Sequence, residues 1–134
     1  MPYVAEAVWP HITFNQGLDI TLLEPAGLLF VSERFGKIWR APADTKGDAE
    51  EKTLVVDLND FFPNLDRLLG LEFHPDFSVN RRVFLYYCTS KMGPGFDCVL
   101  GEFRMDDDWQ LAPAENGTLL HFHGSGHTGG DIQF

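Results

Sequence analysis

The residues best equipped for chemistry gather in His121-Phe122-His123-Gly124-Ser125-Gly126-His127-Thr128-Gly129-Gly130-Asp131. His-x-His-x-x-x-His could hold a metal: alternate residues of a strand face one way, and a third histidine could fold back from the glycine turn. Solvent-facing edge histidines explain the pair as well, and His127 alone also reads as a residue closing a glycine-rich turn. Gly124-x-Gly126-x-x-Gly129 satisfies the dinucleotide fingerprint literally. That fingerprint works only where a helix follows and presents its N-terminus to a pyrophosphate, and Asp131-Ile132-Gln133-Phe134 reads as a strand instead. Cys88 and Cys98 end and open consecutive expected strands. A hairpin would set them opposite each other, to be linked in an oxidising compartment or to remain half-buried thiols. Asn116-Gly117-Thr118 fits a glycosylation pattern and reads more simply as a turn entering a strand.

These residues need elements to position them, and the elements read as β throughout. Residues 68–73 and 83–87 are short apolar runs on either side of His74-Pro75-Asp76-Phe77-Ser78-Val79-Asn80, rich in turn formers, which predicts a strand, a tight connection and a second strand. The start of this unit recurs. Gly70-Leu71-Glu72-Phe73 is echoed by Gly17-Leu18-Asp19-Ile20 and by Gly129-Gly130-Asp131-Ile132, a glycine, an acid two positions on and then an apolar residue. A period of about 50 residues marks an array in which each unit buries its apolar face against its neighbours. Strands are expected over 18–23, 28–33, 37–41 and 52–58, then over 68–73, 82–89, 98–105 and 118–122, with another beginning at 130–134. Arg34-Phe35-Gly36 makes a glycine turn, 42–51 a polar loop, and Asp106-Asp107-Asp108 a solvated loop tip. Two sets of four strands and the first strand of a third match an all-β fold, a β-propeller of four-stranded antiparallel blades. Asp19, Glu72 and Asp131 then fall at equivalent places on the innermost strands, as an acidic collar about the channel or as solvated acids with Arg67 as an available partner.

Composition sets outer bounds. The 134 residues are 44% hydrophobic and 13% aromatic, which supports a folded core. Ten Lys plus Arg against twenty Asp plus Glu give a net charge of −10, which disfavours sequence-independent binding to nucleic acid or to anionic membranes. No apolar run approaches a membrane span, and residues 1–6 lack the basic and apolar regions of a signal peptide. Blades number about four to eight in natural propellers. Residues 1–134 are therefore expected to be the N-terminal part of a single larger domain, whose open edge at 130–134 invites poor solubility or a homodimer.

Three segments carry a family resemblance. Ser32-Glu33-Arg34-Phe35-Gly36-Lys37-Ile38, Leu68-Leu69-Gly70-Leu71-Glu72-Phe73-His74-Pro75-Asp76-Phe77 and His127-Thr128-Gly129-Gly130-Asp131-Ile132-Gln133-Phe134 resemble consecutive signatures of the glucose/sorbosone dehydrogenase family. These are soluble sugar dehydrogenases that use pyrroloquinoline quinone (PQQ), built as six-bladed propellers. The resemblance spans nearly all of this chain and about the first third of a family member. It implies PQQ-dependent oxidation of a sugar or aldose, a separate electron acceptor, a periplasmic or secreted location, and calcium whose ligands lie outside these residues. It matches His127 to the catalytic histidine, which takes the proton of the anomeric hydroxyl. Imidazole suits that task because it is largely neutral at neutral pH. Gly126, Gly129 and Gly130 would let a flat cofactor approach the backbone. Asp66 and Arg67 stand at the substrate-side polar position, where many members have Arg-Gly or Gln-Asn-Gly. Glu72 occupies a place usually small and apolar, and Gly126 one where some sugar-oxidising members carry aspartate. The alternative is a propeller of the same kind acting as a non-catalytic binding module, as in proteins resembling hedgehog-interacting protein; a metal-dependent hydrolase using the three histidines is a third reading.

Overall fold

A computed structural model describes residues 2–43, 51–90 and 93–134, so most of the expected polar loop at 42–51 lies outside the described residues. Strand makes up 53% and helix 8% of the chain. β1 (Gly17–Leu23), β2 (Leu28–Glu33), β3 (Lys37–Pro42) and β4 (Thr53–Asp57) form one antiparallel sheet in sequence order. β5 (Leu65–Phe73), β6 (Arg82–Ser90), β7 (Phe96–Met105) and β8 (Leu111–Gly124) form a second in the same way. Each sheet is an up-and-down meander with its first strand innermost, the construction of a propeller blade, and neither closes into a barrel.

Local chemistry explains the connections. Gly36, at φ +100°, closes the turn between β2 and β3 by donating its N–H to the Glu33 carbonyl. A side chain there would also strike Leu65 and crowd Leu58, so the position needs glycine for space as well as for φ. Between β5 and β6 the tight connection contains a single helical turn, α1 (Phe77–Asn80), ended by Arg81 in the left-handed region at φ 56°. His74 Nδ1 accepts the N–H of Asp76, as a turn residue should, and its ring lies beside Phe84 and Phe134. Asp106 is more than a solvated tip, since its carboxylate accepts the N–H groups of Asp108 and Gln110 and so shapes the turn into β8. β8 starts at residue 111 instead of 118: Pro113 is tolerated on an outer strand with no further strand beside it among the described residues, and Asn116, at φ 53°, marks an irregularity within the strand rather than a turn before it.

The sheets pack face to face. Phe30, Ile38, Val56 and Leu58 of the first blade meet Leu71, Phe73, Val83, Leu85, Tyr87 and Phe103 of the second in one core. Phe30 and Phe73 rings stand 4.8 Å apart, as do those of Phe62 and Tyr87; each such buried side chain contributes about 1.5–3 kcal/mol. At the innermost strands the junction is polar. Asp19 Oδ2 accepts the N–H of Leu71 at 3.0 Å, and the Thr21 hydroxyl donates to the Leu71 carbonyl at 3.3 Å.

The opposite face of the second blade carries a smaller cluster of Tyr86, Cys88 and Cys98, with Leu69, Phe96 and Ile132 against it. The strand expected at 130–134 is not formed, and residues 125–134 pair in no ladder. They nevertheless cross the second blade, with Ile132 against Gly70 and Phe134 against Phe84.

Candidate active site

The alternation of β6 places Tyr86 and Cys88 on one face, and β7 adds Phe96 and Cys98 to the same face by register. The chain leaves β8 at Gly124 and turns back over this surface. Tyr86 donates its hydroxyl to the Thr128 carbonyl at 3.2 Å, and Thr128 Oγ1 stands 3.6 Å from Cys88 Sγ. Burial, then a bond to Cys98, pushes the Tyr86 phenol up to about 12, so it keeps its proton and remains a donor through the ordinary pH range. His127, next to this anchor, is exposed.

The glycines around it divide by role. A side-chain carbon built at Gly126 (φ +82°) or Gly129 (φ +58°) would meet nothing within 4 Å, so both leave open approach to the backbone beside His127. Gly130 differs: a Cβ there would run into Tyr86 and Leu69. Its missing side chain serves the docking of the loop, and Gly129 alone of the expected cofactor pair faces open space.

Arg67 reaches the same end of the blade, paired in register with Cys88 and stacked over Phe96 at 4.3 Å. Its guanidinium is bonded to Asp66, so the two residues expected to contact substrate satisfy each other, and Arg67 is not the partner of the inner acids. Each of those acids has its own partner: Asp19 accepts the N–H of Leu71, Glu72 that of Phe73, and Asp131 the side-chain amide of Gln133. Glu72 is held above its ordinary value first by burial, then by the charges of Asp19 and Asp131. The dinucleotide reading fails as its own rule requires, since no helix follows Gly129. The three-histidine set is not assembled either. β8 turns His121 and His123 toward Asp97, at 3.5 and 3.9 Å, on the face away from Phe122 and Cys98, whereas the His127 loop folds over the Cys98 face. Among the described residues no group of three such ligands is placed to hold a metal ion.

Tyr86 and Thr128, which anchor the loop, were not singled out by residue type. Strand alternation could have put Tyr86 beside Cys88, but nothing in the sequence signals that the chain folds back from Gly124 onto that face.

No protein-family model matches this chain, and no curated protein matches it. A solved crystal structure of glucose dehydrogenase is similar, with a TM-score of 0.55 and 20% identity over 80% of this chain. The two sheets are blades of a β-propeller. The match spans 30% of that dehydrogenase's length. At this identity the relationship is distant and concerns the fold. No helix among the described residues is long and apolar enough to cross a membrane.

Proposed function

We propose that this chain is the N-terminal part of a PQQ-dependent sugar dehydrogenase of the glucose/sorbosone type, with His127 as its general base. The observation that carries the reading is the exposed imidazole set between two glycines with open space at their α-carbons, on a loop pinned by the Tyr86–Thr128 bond. The order of the family-like signatures and the fold shared with a glucose dehydrogenase support it.

The residues present suit a flat group at Gly126 and Gly129 and not at Gly130. PQQ would supply the two-electron acceptor for the hydride leaving the anomeric carbon. His127 accepts the proton of the anomeric hydroxyl, so the sugar loses one proton and one hydride and its C1–O bond becomes a lactone carbonyl. The Tyr86 hydroxyl fixes the loop against the blade during that transfer, and Arg67 and Asp66 would reach sugar hydroxyls at the same end only by exchanging the ion pair they form with each other. Calcium ligands, the electron acceptor's docking site and the closing blades belong on this reading to residues outside this chain, and the compartment is periplasmic or secreted.

The test is dye-coupled sugar oxidation by the full-length parent protein reconstituted with PQQ and calcium. His127→Gln should lower turnover about 10²–10⁴-fold while the bound-quinone spectrum persists. Undiminished turnover overturns the role of His127. Absence of both a quinone spectrum and sugar-dependent dye reduction in the native protein would identify a non-catalytic binding module instead.

A further inference from the structure

We propose that Cys88 and Cys98 are a disulfide-forming pair whose bond fastens the floor beneath the His127 loop. The proposal is independent of the sugar-oxidation reading. The cysteines are direct cross-strand partners in the β6–β7 register, both fully buried, with sulfurs 2.7 Å apart. Antiparallel partners hold their α-carbons at about 4.5–5.5 Å, inside the range a disulfide spans, and closure to a bond of about 2.05 Å is a movement of well under one ångström. The pair lies beneath the loop and the end of β8 from which it leaves. Cys88 Sγ lies 3.6 Å from Thr128 Oγ1, and a Cβ added at Gly124 would stand 3.1 Å from Cys98 Sγ.

Burial dictates when the bond forms. In the folded chain the Cys88 thiol is pushed up to about 12, first by desolvation and then by its bond to Cys98, and a buried thiol with little thiolate exchanges slowly. Oxidation therefore belongs to folding, when both thiols are accessible. A small-molecule disulfide such as oxidised glutathione is attacked by one cysteine thiolate, releasing one glutathione thiol. The second cysteine then displaces the other glutathione from the mixed disulfide. Overall, two cysteine thiols and one glutathione disulfide give one protein disulfide and two glutathione thiols.

The chain is refolded once in a mixture of reduced and oxidised glutathione and once in excess reductant, and each product is unfolded in the presence of a thiol-alkylating reagent. In the first product neither cysteine should be alkylated, intact mass should show the loss of two hydrogens, and peptide mapping should join the Cys88 and Cys98 peptides. Two alkylated thiols, or glutathione adducts without an internal bond, overturn the proposal. Amide hydrogen exchange then tests the consequence: residues 124–128 should exchange several-fold more slowly in the oxidised form than in the reduced form. Equal exchange rates would show that the bond does not fasten the loop.

Discussion

Replacing Asp19 with alanine probes how the two blades are joined. One peptide of β5 is gripped from both sides by β1, its N–H by the Asp19 carboxylate and its carbonyl by the Thr21 hydroxyl. Leu71 is 3% exposed, so alanine at position 19 strands a buried N–H without an acceptor. Leaving such a group unsatisfied costs about 1–3 kcal/mol, with charged acceptors toward the upper end. One term opposes this. The Asp19 charge helps to hold Glu72 above its ordinary value, so removing it relieves repulsion, by at most about 1 kcal/mol near a surface. The lost hydrogen bond wins, and the net destabilisation should be about 1–2 kcal/mol. Asparagine separates the terms, because it keeps an acceptor oxygen and drops the charge; Asp19→Asn should stay within about 0.5 kcal/mol of the native chain. With a urea dependence of about 2 kcal/mol per molar, Asp19→Ala should lower the unfolding midpoint by roughly 0.5–1 M. Equal midpoints for alanine and asparagine, whether shifted together or not at all, would refute the clamp.

Other perturbations read other parts of the fold. Glu72 is raised, chiefly by burial, so it binds its proton more tightly folded than unfolded; its contribution is intact below its ordinary value of 4.5 and is lost as pH rises through the raised value. Glu72→Gln should therefore flatten the decline in stability over that window in unfolding midpoints taken across pH, and an unchanged slope would count against the buried setting of Glu72. Gly36→Ala places a side chain in the left-handed region and against Leu65, which should cost roughly 1–3 kcal/mol by thermal or urea unfolding. The Cys88–Cys98 bond closes a short loop, so the oxidised chain should exceed the reduced chain by about 2–3 kcal/mol in denaturant unfolding, a gap that reductant added before unfolding should abolish.

The strands were legible because their signals are local. Alternation and β-branched runs mark β2, β3 and β6 within a residue or so, and Arg34-Phe35-Gly36 announces its turn by the glycine. The start of β8 was not legible, since Pro113 and Asn116-Gly117 are ordinary breakers; they are accommodated only because β8 lies at the outer edge of its blade, a fact of topology. The site divides in the same way. That Cys88 and Cys98 face each other follows from hairpin register. That Arg67 is occupied by Asp66 and Phe96, and that Gly130 is small for the sake of Tyr86 and Leu69, depends on which side chains meet across the blade.

The repeat itself gives the C-terminal segment its meaning. On the first blade, Leu18, Ile20 and Leu22 of β1 are exposed, while Asp19 and Thr21 between them meet β5. β1 thus has one face packed and an apolar face turned outward. On the second blade the face away from the core has acquired its cover. Thr128 sits by Tyr86 and Cys88, Ile132 by Gly70, and Phe134 by Phe84 and His74, so the tail crosses β5 and β6. The third copy of the glycine, acid and apolar pattern, Gly129-Gly130-Asp131-Ile132, thus lies against the second blade, but without the clamp of the first junction, since the Glu72 carboxylate accepts the N–H of Phe73 and not one from the tail. His127 stands immediately before that third segment. Its position is set by the packing of the tail on the second blade and not by the hairpin that precedes it, and a change that lifts the tail from Tyr86 should displace the imidazole without disturbing the β5–β8 ladder.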